Sequence, residues 1–256
     1  MKHATESSLG RAYRKLYEAL CGRHPLLRPW HFQWLPAYFL NRAMSRWLPG
    51  LEGTVLDVGC GKKPYKPLFA AVHSYIGVDL STSSEADVMG ALDQGLPFQE
   101  GAFDIVILAQ VMEYIAEPRL AIAEIKRVLK PGGVAIISFP FILNEHGEHD
   151  VTRLSGHMAS QMLEGFHMRA LERQGGAGST LTILMLNWLD LSLNRTFLLR
   201  LTRPLLLPFW LPLCFVLNIG ALLWDRMDVT EVFYSNVFLV LEKQGEGGLD
   251  SMGAET

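Results

Sequence analysis

The sequence predicts an α/β protein: a mostly parallel sheet with helices on both faces, an N-terminal helical arm, and a hydrophobic helical insertion before the last strand. Three observations lead there. "TVLDVG", "YIGVDLS", "FDIVILAQV" and "GVAIISFP" are short, continuous apolar runs closed by turn residues, the mark of strands buried on both faces. Between the third and fourth lies "EPRLAIAEIKRVLKPGG". Leu120, Ile122, Ala123, Ile125 and Leu129 give it a broad apolar side, and Pro131-Gly132-Gly133 stops it. Strands that alternate with helices build parallel sheets.

The elements follow in order. Residues 1–53 form the arm. "GRAYRKLYEAL" sets Tyr13, Leu16, Tyr17 and Leu20 at helical spacing, a proline-broken aromatic stretch follows, and "AYFLNRAMSRWL" resumes the helix until Pro49 and Gly50. Residues 54–180 form the α/β core, in which "SGHMASQMLEGF" reads as a helix ending at Gly165 and "HMRALERQ" as a strand. Residues 181–229 are the insertion. Residues 230–243 bring the last strand, "FYSNVFLVLEK", and 244–256 form a polar, glycine-rich tail expected to be disordered.

Within the insertion, "PLLLPFWLPLCFVLNIGALLW" (204–224) runs 21 residues without a charge, long enough to span a bilayer. Pro204, Pro208 and Pro212 are expected to break its first half. A single crossing would also strand the last strand on the wrong side. Three readings stay open: a helical subdomain that covers the sheet or forms a dimer face, a segment lying in the membrane interface, and a true span. Arg195, Arg200 and Arg203 suit anionic headgroups or a solvated face alike.

Bulk properties narrow the function. With 256 residues, 49% of them hydrophobic, the chain buries one sizeable core. The net charge of −3, without a basic run, gives no reason to propose nucleic acid as a partner. Cys21, Cys60 and Cys214 lie far apart, show no metal-ligand spacing and fit a reducing compartment. The first twenty residues lack the apolar core of a signal peptide, so the expected location is the cytoplasm.

The densest stretch is "VLDVGCGKKPY" (55–65). Glycines after a strand let the backbone approach a ligand, and a helix is expected to follow with its N–H groups available. A dinucleotide site asks for G-x-G-x-x-G, but the third glycine position is Pro64. Asp57 precedes the first glycine and would repel a pyrophosphate while welcoming an ammonium group. The second strand ends in Asp79, placed to accept both hydroxyls of a ribose. An ammonium, a nucleoside and no phosphate together describe S-adenosyl-L-methionine.

With those residues in place, the stretch 55–139 resembles a class I S-adenosylmethionine-dependent methyltransferase, of the type 11-like subgroup. The "LPF…FD" turn, the "QVMEYI" strand end and the "RVLKPGG" turn carry the resemblance. It implies a Rossmann-like fold and roles for particular residues. Gly59, Cys60 and Gly61 would pass their backbone around the methionine part. Asp57 would help orient the ammonium, through water or backbone amides. Asp79 would bind the ribose with Leu80 packed on the adenine, and Gln110 would lie beside the methionine moiety. Relatives often carry an acid before "LPF" for the adenine amino group. Here that register falls on Ala91 or Leu92, with Asp93 adjacent: either Asp93 substitutes or the contact is lost. Their histidine after the glutamate of "QVMEYI" is Tyr114.

Methyl transfer from a sulfonium needs mainly a positioned nucleophile, and a hydroxyl acceptor also needs a base. The loop "FILNEHGEHDVTR" follows the fourth strand. It offers His146 and His149 as the base, with Asp150 or Glu148 as the orienting partner. It also resembles the "HExxHDxxR" segment of methyltransferases of glycan and lipid-linked biosynthesis, with Val151 where a tyrosine is usual. A metal site on this His-x-x-His loop is possible chemistry, but nothing demands one. The favoured reading is O-methylation of a small-molecule, glycan or lipid-linked acceptor. A non-catalytic fold relative serving as a partner or scaffold is the alternative, and a dehydrogenase is disfavoured by Asp57 and the missing glycine.

Overall fold

The computed structural model describes residues 8–80, 85–195 and 197–245. Its main sheet has seven strands: β1 (Glu52–Val58), β2 (Ala71–Asp79), β3 (Val88–Met89), β4 (Phe103–Ala109), β5 (Leu129–Pro140), β6 (Phe166–Gln174) and β7 (Asn236–Lys243). Their spatial order is β3-β2-β1-β4-β5-β7-β6. The first five run parallel, and β7 enters antiparallel between β5 and β6. Residues Ile105–Leu108 of β4, Ala135–Ile137 of β5 and Val237–Leu241 of β7 are buried throughout, as the uninterrupted apolar runs require. Order reverses at β1 and β4, so their C-terminal ends open a crevice of the kind that binds ligands in such sheets.

The helices are α1 (Ser8–Cys21), α2 (Trp34–Trp47), α3 (Pro118–Val128), α4 (Gly156–Ser160), α5 (Ala177–Arg195) and α6 (Phe197–Asp225). The α3 helix buries Ala121, Ile122, Ile125 and Val128 and turns Glu124 and Arg127 to the 96–98 turn. There Glu124 accepts the Leu96 N–H at 2.6 Å, and Arg127 donates to the carbonyls of Phe98 and Leu96 at 2.8 and 3.1 Å.

Several expectations are corrected. No α-helix follows the glycine turn: Pro64 and Pro67 lack the donors a helix needs, and only a 3₁₀ turn forms at Lys66–Leu68. The helix expected to reach Gly165 ends at Ser160, after an N-cap in which Ser155 accepts the Met158 N–H. The β5 strand starts earlier than expected. Its pairing steps from Phe103↔Leu129 to Ile105↔Val134, and Lys130–Gly133 is extruded as a bulge. The three prolines do not interrupt α6. Spaced four apart, they share one side of the helix, where Pro208 and Pro212 are exposed. Of the tail, residues 246–256 lie outside the described residues.

The chain divides into two units, residues 42–174 with 236–256, and residues 1–41 with 175–235. The bounds read from sequence, an arm of 1–53 and an insertion of 181–229, differ from these units: residues 1–41 group with 175–235, and residues 42–53 with the sheet. The reason is aromatic packing within the second unit. Leu186, Leu207, Trp210 and Cys214 form a buried cluster against Tyr13, Tyr17 and Phe32. Asn218 donates to the carbonyls of Pro29 and His31, at 2.7 and 3.0 Å. At the C-terminus of α6, Asp225 accepts the N–H and hydroxyl of Ser179 in the first turn of α5. Helices α5 and α6 thus form a hairpin.

Candidate active site

The site is built where β1, β2, β4 and β5 end. Gly59 and Gly61 take left-handed backbone, φ +72° and +51°. A Cβ on Gly59 would stand 2.2 Å from Val111 Cγ2, so glycine is needed there for space as well as for conformation. A Cβ on Gly61 would meet nothing within 4 Å. The turn is tied down by its own amides. Gly59 and Cys60 donate to the Val78 carbonyl at 2.8 and 3.1 Å. Gly61 donates to Asp79 Oδ2 at 2.9 Å. A ligand over this turn therefore meets its Cα and carbonyl surface; the expected helix N–H groups do not form.

The acids differ in environment. Asp57 is buried, and Tyr75 donates to its Oδ2 at 2.6 Å. Burial pushes its carboxyl up to about 6, while the Tyr75 hydrogen bond and Lys63 oppose the shift. Tyr75 was missed from sequence. It sits two residues before Gly77, the register partner of Asp57, and a strand's period of two places it where it can reach back. Asp87, also missed, accepts from the Gly77 N–H and Lys63 Nζ, both at 2.7 Å, which hold it below the usual carboxylate range. The Cys60 thiol is buried and pushed up to about 11, which makes it an unreactive packing group. Leu80 is 71% exposed at the end of β2. Leu92 turns inward and its neighbour Asp93 outward, on the 3₁₀ turn Leu92–Gln94.

Gln110 follows the end of β4, and its side chain is engaged by the protein. It has φ +58°, and its side-chain amide donates to Ser138 Oγ at 3.1 Å and Asn236 Oδ1 at 3.0 Å. Asn236 in turn donates to Ser138 Oγ and Gln174 Oε1, at 2.8 and 2.7 Å. This buried network joins the ends of β4, β5, β7 and β6. Polar residues inside "AIISFP" and "FYSNVFLV" were its sequence signal.

The loop after β5 is also arranged differently. Asp150 pairs with Arg153 and accepts the backbone N–H of His146 at 2.8 Å. The His146 Nδ1 lies 3.8 Å from Asp150, beyond a hydrogen bond, and His149 is exposed. The arginine is the stronger partner, so Asp150 orients neither imidazole directly. The loop is anchored on the missed Glu113, whose carbonyl accepts the N–H groups of Val151 and Thr152 at 2.9 and 3.0 Å. Glu113 is buried, and its Oε2 has no hydrogen-bond partner. Burial pushes it up to about 7, against the pull of Arg153. An acid inside the apolar "QVMEYI" was the available signal.

A raised carboxyl costs stability as pH rises, because the folded state holds a proton that the unfolded chain releases. For Glu113 the window runs from about 4.5 to about 7. The difference in stability between Glu113→Gln and wild type is expected to shift toward the variant by on the order of 3 kcal/mol between pH 4.5 and 8. Urea denaturation across that range measures it, and a pH-independent difference would refute it. Using the difference matters, since buried His31, lowered to about 4, titrates with the opposite sign.

A separate pocket of about 530 Å³, lined by Lys126, Arg127, Gly165 and Lys243, lies at the opposite end of the strands, where β4 and β5 begin. Its cations already donate to the carbonyls of Glu164, Phe98, Leu96 and Leu129.

Residues 56–137 match a family model described as a methyltransferase domain. An uncharacterized methyltransferase of Mycolicibacterium gilvum (strain PYR-GCK) is 32% identical over 111 residues, covering 38% of this chain and 43% of that relative. The chain spans about half the length of the curated relatives it matches. Among solved structures, the Haloferax volcanii complex of the Trm112 methyltransferase activator with a putative methyltransferase matches with TM-score 0.53. That match has 17% identity and covers 91% of this chain and 95% of that one. Phosphoethanolamine N-methyltransferase 2 of Haemonchus contortus, solved with S-adenosyl-L-methionine, matches with TM-score 0.51 and 16% identity, over 80% of this chain and 52% of that one. Such identities show a shared fold alone.

Proposed function

From the premise that residues 56–137 form a methyltransferase domain in a Rossmann-like methyltransferase fold, we propose that this protein transfers a methyl group from S-adenosyl-L-methionine to a hydroxyl. The acceptor is a small molecule, a glycan or a lipid-linked compound. The observation that carries the reading is Asp79 at the tip of β2, with one carboxylate oxygen holding the amide of Gly61. That arrangement supports Asp79 as the nucleoside-binding acid, since it lies beside a turn where a Cβ on Gly61 would meet nothing within 4 Å. The residues present fit the group.

S-adenosyl-L-methionine supplies an electrophilic methyl on sulfonium. The protein's part is binding, orientation and proton removal. Asp79 holds the ribose hydroxyls and Leu80 lines the adenine. The surface of Gly59, Cys60 and Gly61 borders the methionine part. Asp57, held by Tyr75 at 2.6 Å, helps orient the ammonium. His146 takes the acceptor's proton. The Asp150–Arg153 pair fixes its backbone, and Glu113 anchors the loop. The three buried, free thiols suit work in the cytoplasm.

Calorimetric titration of S-adenosylhomocysteine into the purified chain, with NADH as control, tests the cofactor. Micromolar binding of the first and none of the second is expected. A folded protein that binds neither would favour a non-catalytic scaffold, and NADH binding would favour a dehydrogenase.

A further inference from the structure

Polarity on the α5–α6 hairpin is sorted inside out. Between Pro204 and Trp224, the only amide, hydroxyl or charged side chain is Asn218, and it is buried and bonded to two carbonyls. Arg203, just before this stretch, turns to Asp190 and Asn194 within the hairpin and lies over the Tyr13 ring. The outward face is apolar: Leu205 and Phe209 are 75% and 76% exposed, followed by Leu213, Val216 and Leu223. On α5, Leu181, Met185 and Trp188 are exposed as well, at helical spacing. Only 28% of the most apolar window of α6 is buried. A water-facing helix sorts its residues the other way.

Charge points to the occupant. The unit containing the hairpin, residues 1–41 with 175–235, has ten Lys and Arg against six Asp and Glu, a formal +4. The rest has thirteen against twenty, −7, which together give the −3 of the whole chain. Exposed Lys15 and Arg14 lie on α1, which packs on α6 through Tyr17 and Trp210. Exposed Arg195 closes α5.

We propose that the α5–α6 hairpin docks this protein in-plane on an anionic lipid bilayer, with its apolar outer face in the acyl boundary and its basic residues at headgroup level. A second copy fits less well. Protein interfaces carry about one hydrogen bond per 100–200 Å² and a polar rim, whereas this face offers almost no side-chain donor or acceptor. A bilayer asks for none. The hairpin also removes the objection to membrane contact, because its two ends meet at Ser179 and Asp225 and leave on the same side.

The test uses the full chain without cofactor, so its outcome is independent of methyl transfer. In flotation with phosphatidylcholine vesicles, binding is expected to rise when phosphatidylglycerol is included and to weaken with salt. The Leu205→Ser/Phe209→Ser/Val216→Ser variant, with unchanged circular dichroism, should lose at least about tenfold in partitioning. In wild type, lipids brominated in the acyl chain should quench tryptophan fluorescence. This readout stands even if the variant misfolds. A wild-type chain that neither floats nor is quenched overturns the proposal, as does a folded variant that floats undiminished. A dimer that does not float assigns the face to a second copy instead.

Discussion

Gly59→Ala should cost about 2–5 kcal/mol, roughly 1–2 from the left-handed backbone and 1–3 from overpacking. The added methyl carbon falls 2.2 Å from Val111 Cγ2. Val111 opens the 3₁₀ turn Met112–Tyr114, so its displacement also disturbs Glu113 and the loop that Glu113 anchors. A thermal midpoint lower by roughly 5–15 °C is expected for a chain of this size. Two controls separate the causes. Gly61→Ala has the same kind of backbone, at φ +51°, but an open side, so it should cost only about 1–2 kcal/mol. Gly59→Ala combined with Val111→Ala removes the colliding carbon and should recover the overpacking share. Equal losses at the two glycines would show that the collision is relieved at no cost. Binding should sort the other way: Gly61→Ala, though better folded, points its methyl toward the proposed ligand and should weaken S-adenosylhomocysteine.

Asp79→Ala should weaken S-adenosylhomocysteine by more than tenfold. The lost contacts are charge-assisted, worth roughly 1.5–3 kcal/mol. The variant also frees the Gly61 amide, which Asp79 Oδ2 holds at 2.9 Å, so the turn loosens as well. Asp79→Asn keeps an acceptor for that amide and gives up only the charge. Its affinity is expected between wild type and alanine. Calorimetry on the three proteins reads the series, and an alanine variant that binds like wild type would remove Asp79 from the ribose.

The sheet was legible in the sequence because parallel strands buried on both faces leave unbroken apolar runs, and the glycine turn was legible because left-handed backbone selects its residue. Partnership was not legible. Asp150 was read as a histidine's partner, yet Arg153, three residues away, offers two donors that an imidazole cannot match. The partners of Gln110 were equally hidden: its side chain meets Ser138 and Asn236, the latter 126 residues distant. The prolines of α6 were read as breaks on local chemistry, and the packing of Trp210 and Cys214 overrode that preference. Tyr75 escaped because it belongs to no motif, and Glu113 because the "QVMEYI" motif assigned it no role; each matters through what it touches.

The position of β7 sets a timetable for synthesis. Among the described residues the β6 strand pairs only with β7, and β7 follows the whole apolar hairpin. On a ribosome adding about 5–20 residues per second, residues 166–174 wait several seconds for an edge to join. During that wait the network of Gln110, Ser138, Asn236 and Gln174 is half assembled and the most water-averse stretch of the chain is already emerging. A chain arrested before Asn236 would hold two unsatisfied strand edges at once, so the aggregation risk of this sheet is greatest just before β7 is made.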